Sequence, residues 1–127
     1  METIHLDTHV VAWLHAGELE RVPQIVRHRL DAGNLTVSPI VLLELEYLKE
    51  IGRLTVDGRT IFADLAADIS LTLASETFSA VVNQAHEEHW TRDVFDRLIT
   101  ANARLAGCPL TTKDSNILNH YSQAFWD

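Results

Sequence analysis

The chain has 127 residues, 46% hydrophobic and 22% charged, which fits one globular domain spanning 1–127 and argues against disorder. Its apolar runs are too short to cross a bilayer, its single cysteine, Cys108, cannot close an internal disulfide, and no basic, cleavable leader opens it. Membrane proteins, secreted disulfide scaffolds and coiled coils are thereby set aside, and a cytoplasmic protein is expected. Eighteen acidic against ten basic residues give a formal charge of −8, an unpromising balance for a polyanionic ligand. The acidity is uneven: residues 92–114 carry four cations against three acids, net +1, while the remainder holds −9.

In chain order, Thr3-Ile4-His5-Leu6 reads as a short strand, followed by Asp7-Thr8 and a helix from His9 to His15. Pro23 to Leu30 reads as a second helix that stops near Gly33-Asn34, and Leu35 to Val37 as a buried strand. Ser38-Pro39 has the pattern of a cap followed by proline at the first helical position, opening a helix to Ile51-Gly52. Asp57 opens another helix through Ala67, Ile69 to Leu73 reads as a third strand, and Thr77 to Glu88 as a helix. Val94 to Ala106 forms a helix stopped by Gly107, Pro109 to Thr112 a fourth strand, and Asp114 to His120 a last helix. Room is left for a closing strand near Phe125-Trp126. Short apolar strands alternating with amphipathic helices predict a three-layer α/β/α fold around a mostly parallel sheet of four to five strands. In such sheets ligands bind outside the carboxyl ends of the strands, where the strand order reverses.

Several carboxylates fall at that expected rim. Asp7 directly follows the first strand and Asp114 follows the fourth, each at a helix N-terminus where capping is the simplest role. Capping leaves a second oxygen free to act elsewhere. On the helix from Pro39, the apolar stripe Ile40, Leu43, Tyr47, Leu48 and Ile51 is expected to face the core. Glu44 lies within it, where an ionised carboxylate costs several kcal/mol unless compensated. Either it lies at a partly exposed edge of that stripe, or it is compensated by a salt bridge to Arg97 or Arg104 or by a metal ion. Asp93 and Asp96, three residues apart at the start of a helix, can point the same way.

Asp7, Glu44, Asp96 and Asp114 can meet above one end of the sheet, with Asp93 beside them. Converging carboxylates repel by roughly 1 kcal/mol per pair at ~4 Å in water, and more in a less polar site. They are tolerated together when some are protonated or cations sit between them. All-oxygen ligation selects Mg²⁺ or Mn²⁺ over zinc. Such ions activate water and stabilise the oxygens of a phosphodiester, so the constellation reads as a metal-dependent phosphoryl-transfer site of the nuclease kind.

The sequence resembles the PIN domain family, and within it the VapC-like toxins of bacterial toxin–antitoxin pairs. The resemblance is carried by Ile4-His5-Leu6-Asp7-Thr8-His9-Val10-Val11-Ala12-Trp13 and by Ser38-Pro39 through Glu44 with Gly52-Arg53-Leu54. It continues in Asp93-Val94-Phe95-Asp96-Arg97-Leu98-Ile99-Thr100-Ala101-Asn102-Ala103 and Pro109-Leu110-Thr111-Thr112-Lys113-Asp114. It implies catalytic and metal-holding roles for Asp7, Glu44, Asp96 and Asp114, polar support from Thr8 and Thr112, and an added metal-side aspartate at Asp93. Val94 stands where that subfamily usually has proline. The family likeness further implies a Mg²⁺- or Mn²⁺-dependent endoribonuclease, commonly a homodimer, held inactive by an antitoxin protein whose segment covers the site. With few cations available, Arg53, Arg92, Arg97 and Lys113 are the candidates for RNA phosphate contacts.

Two other readings compete: a receiver-like phospho-signalling domain, and a PIN-like RNA-processing nuclease or binding module that is no toxin. A receiver needs paired acids after the first strand and an aspartate after the third; Asp7 stands alone, and Ala74-Ser75 follow Leu73. His86-Glu87-Glu88-His89 matches no zinc-protease motif and reads as an exposed helix end. His5 reads as strand packing, Val10, Trp13 and Leu14 as core or subunit contact rather than ligand stacking, Trp126 as packing, and His9 stays unassigned.

Overall fold

A computed structural model describes all 127 residues. The strands are β1 (Thr3–Leu6), β2 (Asn34–Val37), β3 (Thr72–Leu73), β4 (Leu110–Thr111) and β5 (Ala124–Phe125). The helices are α1 (Thr8–Ala16), α2 (Gln24–Asp31), α3 (Ile40–Glu50), α4 (Gly58–Ile69), α5 (Phe78–Ala85), α6 (Val94–Ala106) and α7 (Ser115–His120), with a 3₁₀ turn at Leu19–Arg21. The sheet order is β3-β2-β1-β4-β5 and every pairing is parallel. Ile4, His5 and Leu6 are all buried, so β1 is covered on both faces, as an α/β/α sandwich requires. The chain winds outward from β1 to β3, then crosses to β4 on the other side of β1. The crevice between β1 and β4 is therefore the switch point, and Asp7 and Asp114 flank it.

Side-chain caps fix where the helices begin. Asp7, Asp57, Thr77, Asp93 and Asp114 each accept backbone N–H bonds at a helix start, the role expected of short polar side chains there. Ser38 departs from its expected role: it contributes its backbone carbonyl, to Val41 N–H at 2.9 Å, and no side-chain cap bond forms at the start of α3. The third strand is shorter than the predicted Ile69–Leu73, because α4 continues to Ile69 and ends on Ser70 in the left-handed region at φ 59°.

α3 turns a different side inward than its stripe predicts. Val41, Leu45 and Leu48 are buried, while Leu43, Tyr47 and Ile51 are 58%, 46% and 48% exposed. The helix carries apolar residues on two adjoining sides, so periodicity alone cannot choose between them. The choice comes from the neighbouring helix: Gly58 at the start of α4 lies so close that a Cβ there would sit 2.4 Å from the Leu42 carbonyl oxygen and 3.3 Å from Leu45. Glu44, one turn from both Val41 and Leu48 and also from Ile40 and Tyr47, stands on the seam between the buried and exposed sides, half-buried.

Candidate active site

Asp7, Glu44, Asp93, Asp96 and Asp114 line one hollow of about 450 Å³, together with His9, Val10, Trp13 and Lys113. Hollows of about 490 and 590 Å³ lie elsewhere, but neither gathers more than two acids. The five carboxylates arrive from four pieces of chain: Asp7 from the end of β1, Glu44 from mid-α3, Asp93 and Asp96 from the cap and first turn of α6, and Asp114 from the cap of α7.

Asp7 is the anchor. It is buried, and one oxygen accepts the Thr8 N–H at 2.8 Å while the other accepts the Thr112 hydroxyl at 2.6 Å. Thr112 in turn accepts the Asp114 N–H at 3.0 Å, so a single hydroxyl ties the ends of β1 and β4 together. Asp114 caps α7 through Asn116 N–H at 2.8 Å and Ile117 N–H at 3.0 Å with the same oxygen, Oδ1. Thr8 donates to Glu44 at 2.5 Å, linking α1 to α3. Asp93 accepts the Asp96 N–H at 3.0 Å, the cap expected in a first helical turn. Capping and lining the hollow thus coincide at Asp7, Asp93 and Asp114.

No lysine or arginine forms an ion pair with any of the five. The salt bridge considered for Glu44 does not exist: Arg97 donates to the Ala85 carbonyl at 2.8 Å, and Arg104 pairs with Glu88 at 2.6 Å. Burial, with the crowding of like charges behind it, shifts three of the acids upward. Burial, followed by the charges of Asp7, Asp93, Asp114 and Glu44, pushes the Asp96 carboxyl up to about 8. Burial also raises Glu44 and Asp7, against the Thr8 and Thr112 hydrogen bonds that favour their ionised forms. Acids raised this way in a cleft make it a candidate functional site on physical grounds. The side chains share the hollow without closing into a ready-made cage of three ligands.

Of the four expected RNA-facing cations, only Lys113 lines the hollow. Arg53 is exposed beyond the end of α3, and Arg92 is exposed and donates to the His89 carbonyl at 3.0 Å. Arg97 is half-buried and turned onto the carbonyls of Ala85 and His86, away from a phosphate-facing role. The His86–His89 segment also departs from expectation. α5 ends at Ala85, and Glu88 is only 2% exposed, held by Arg104 and by the Trp90 indole N–H at 3.3 Å. An arginine on the otherwise buried side of α6, in phase with Thr100 and Ala101, was the sequence signal for a buried acid opposite it.

A sequence model described as PIN domain matches residues 4–122. No curated protein sequence matches the chain. Among solved structures, VapBC2 from Rickettsia felis bound to a promoter DNA fragment superposes with a TM-score of 0.67 at 15% identity, covering 98% of this chain and 99% of that one. A toxin–antitoxin complex from Klebsiella pneumoniae gives 0.63 at 16% identity, with 96% and 95% covered. DNA-bound VapBC from Salmonella typhimurium gives 0.63 at 18%, with 98% and 96% covered. At these identities the likeness is one of fold.

Proposed function

The chain belongs to the PIN domain family, and on that premise we propose that it is a metal-dependent endoribonuclease acting as the toxin of a toxin–antitoxin pair. The observation that carries the reading is the hollow at the β1–β4 switch point, which gathers five carboxylates and pairs none with an arginine or lysine. An all-oxygen donor set open to solvent suits Mg²⁺ or Mn²⁺, which need only one or two carboxylates and keep several waters. The Asp96 carboxyl, raised to about 8, marks the hollow as short of positive charge. Asp7, Glu44, Asp96 and Asp114 would hold the ion, with Asp93 beside them.

When bound, such an ion supplies an activated water and neutralises charge on the phosphodiester. The remaining work falls to the chain itself. Thr112 and the Thr8 N–H fix both oxygens of Asp7, so the carboxylate cannot rotate away. Thr8 sets Glu44 relative to Asp7, in the manner of outer-shell groups that orient ligands. Lys113, exposed at the rim, is the one cation placed to meet a substrate phosphate.

A protein partner is supported by the surface. Leu43, Tyr47 and Ile51 on α3 are exposed, as are Phe78 and Val94, and apolar patches of that kind mark protein contacts. An antitoxin, or the second subunit of a homodimer, would cover them. A cytoplasmic setting goes with this reading, and no helix is long and apolar enough to cross a membrane.

The test is incubation of the purified chain with single-stranded RNA, with and without Mg²⁺ or Mn²⁺. Cleavage that needs the ion, stops on chelation and is lost in Asp7→Asn supports the reading. Cleavage unchanged by chelation, or undiminished in Asp7→Asn, overturns it.

A further inference from the structure

We propose that the non-acidic wall of the hollow is a base-stacking subsite, in which His9 and Trp13 seat an unpaired nucleobase next to the phosphodiester facing the carboxylates. The subsite presupposes the nuclease reading above and deepens it, naming the side chains that would seat the base beside the cleaved bond.

His9 and Trp13 are one turn apart on α1, the helix that Asp7 caps, and both line the same hollow as the five acids. Their ring centroids are 6.1 Å apart, and Trp13 continues to Trp126 at 6.0 Å, so three rings form one row leading out from the acids. The Arg21 guanidinium stands 5.8 Å from the Trp13 ring centre. Trp13 and Trp126 are half-buried and backed by the core, while His9 is exposed. The rings are tilted by 47° and 55° and Arg21 is itself paired with Glu18, so the exposed His9 ring is the face left for an unpaired base to stack on.

Electrostatics make such a row necessary. The chain carries −8, and Lys113 is the only cation lining the hollow. Phosphate contacts, which supply most non-specific nucleic-acid affinity, are therefore scarce. Stacking needs no cation and requires an accessible base face, which a duplex withholds. A substrate held this way presents an unpaired base, and its affinity depends weakly on salt.

The experiment uses the full chain carrying Asp96→Asn in chelator, so that binding is read without cleavage and independently of the ion. Fluorescence anisotropy measures its affinity for a labelled 12-nucleotide single strand and for the same RNA as a duplex. His9→Ala, His9→Phe and Trp13→Phe are then added to that background. The expected result is preference for the single strand, about tenfold weaker binding in His9→Ala, recovery in His9→Phe and retention in Trp13→Phe. Equal affinity for strand and duplex, or unchanged binding in His9→Ala, overturns the subsite even where metal-dependent cleavage by the unmodified chain leaves the nuclease reading intact. Absence of RNA binding with capture of an antitoxin peptide on the same ring row also overturns it. Loss of cleavage specificity for single strands in His9→Ala alone, at unchanged thermal stability, supports it.

Discussion

Two buried acid sites in this molecule solve the same problem in opposite ways. Glu88, more deeply buried than any of the five carboxylates of the hollow, is fully matched: Arg104 meets one oxygen at 2.6 Å, the Trp90 indole meets the other, and Arg104 also donates to the His120 carbonyl at 3.0 Å. Trp90 stacks flat on His120 at 5.0 Å, and the Arg104 guanidinium lies 4.9 Å from the Tyr121 ring centre. That cluster ties α6 to α7. In the hollow, by contrast, hydroxyls and backbone N–H groups position the carboxylates while no guanidinium or ammonium pairs with them. The chain has the means to neutralise a buried acid and withholds it at one place, which is what a site kept for an external cation requires.

The comparison breaks most visibly at the matched pair. Arg104→Met leaves Glu88 buried and unpaired, which costs about 3–5 kcal/mol and lowers Tm by an amount of the order of 10 °C. Adding Glu88→Leu to Arg104→Met removes the stranded charge and recovers most of that loss, since a buried pair replaced by apolar groups is close to neutral. Thermal unfolding of the single and double variants checks both. In the hollow the sign reverses: Asp96→Asn removes a carboxyl that must be either crowded as an anion or protonated on folding, so the metal-free protein becomes more stable while cleavage falls by more than about 100-fold, beyond the loss typical of an outer-shell partner. A drop in metal-free stability would mean that Asp96 is matched after all.

Thr112→Val sharpens the point at smaller amplitude. It frees one Asp7 oxygen and unties β1 from β4, and metal affinity falls by about 10- to 100-fold, as for other outer-shell groups, with a smaller change in Tm. The smallest effect is in pH. Asp96 titrates near its ordinary value when unfolded and near about 8 when folded. Folding therefore takes up a proton, and the stabilisation present at acid pH fades as pH rises through about 8. Between pH 6.5 and 8.5 the metal-free protein loses Tm as pH rises, and Asp96→Asn flattens the slope. At the lower end of that window His5 opposes the slope, because burial holds it down to about 4 and only the unfolded chain takes up its proton there.

Much of this was legible in the residues. Short apolar strands between amphipathic helices specified the parallel sheet, and acids placed directly after β1 and shortly after β4 pointed to its carboxyl rim. Glu44 was found through a stripe of which Leu43, Tyr47 and Ile51 face outward while Leu48 is buried; it was conspicuous because α3 is apolar on two sides and an acid on their seam interrupts both. Periodicity could not choose between those sides, since the choice depends on the close approach of α4 at Gly58. Glu88 was hidden for a different reason. Local pattern sees an acidic tetrapeptide at a helix end, whereas its burial is created by Arg104, sixteen residues away. Arg97 looked available for phosphate until the fold turned it onto the end of α5.

Titration of the metal-free protein with Mn²⁺ at pH 7 in a calorimeter, in two buffers of different ionisation enthalpy, tests the matter most directly. Saturable binding that releases protons as the crowded carboxyls ionise, and that is abolished in Asp7→Asn, is the predicted result. Absence of saturable binding, or binding with the same affinity and proton release in Asp7→Asn and Asp96→Asn, would contradict it.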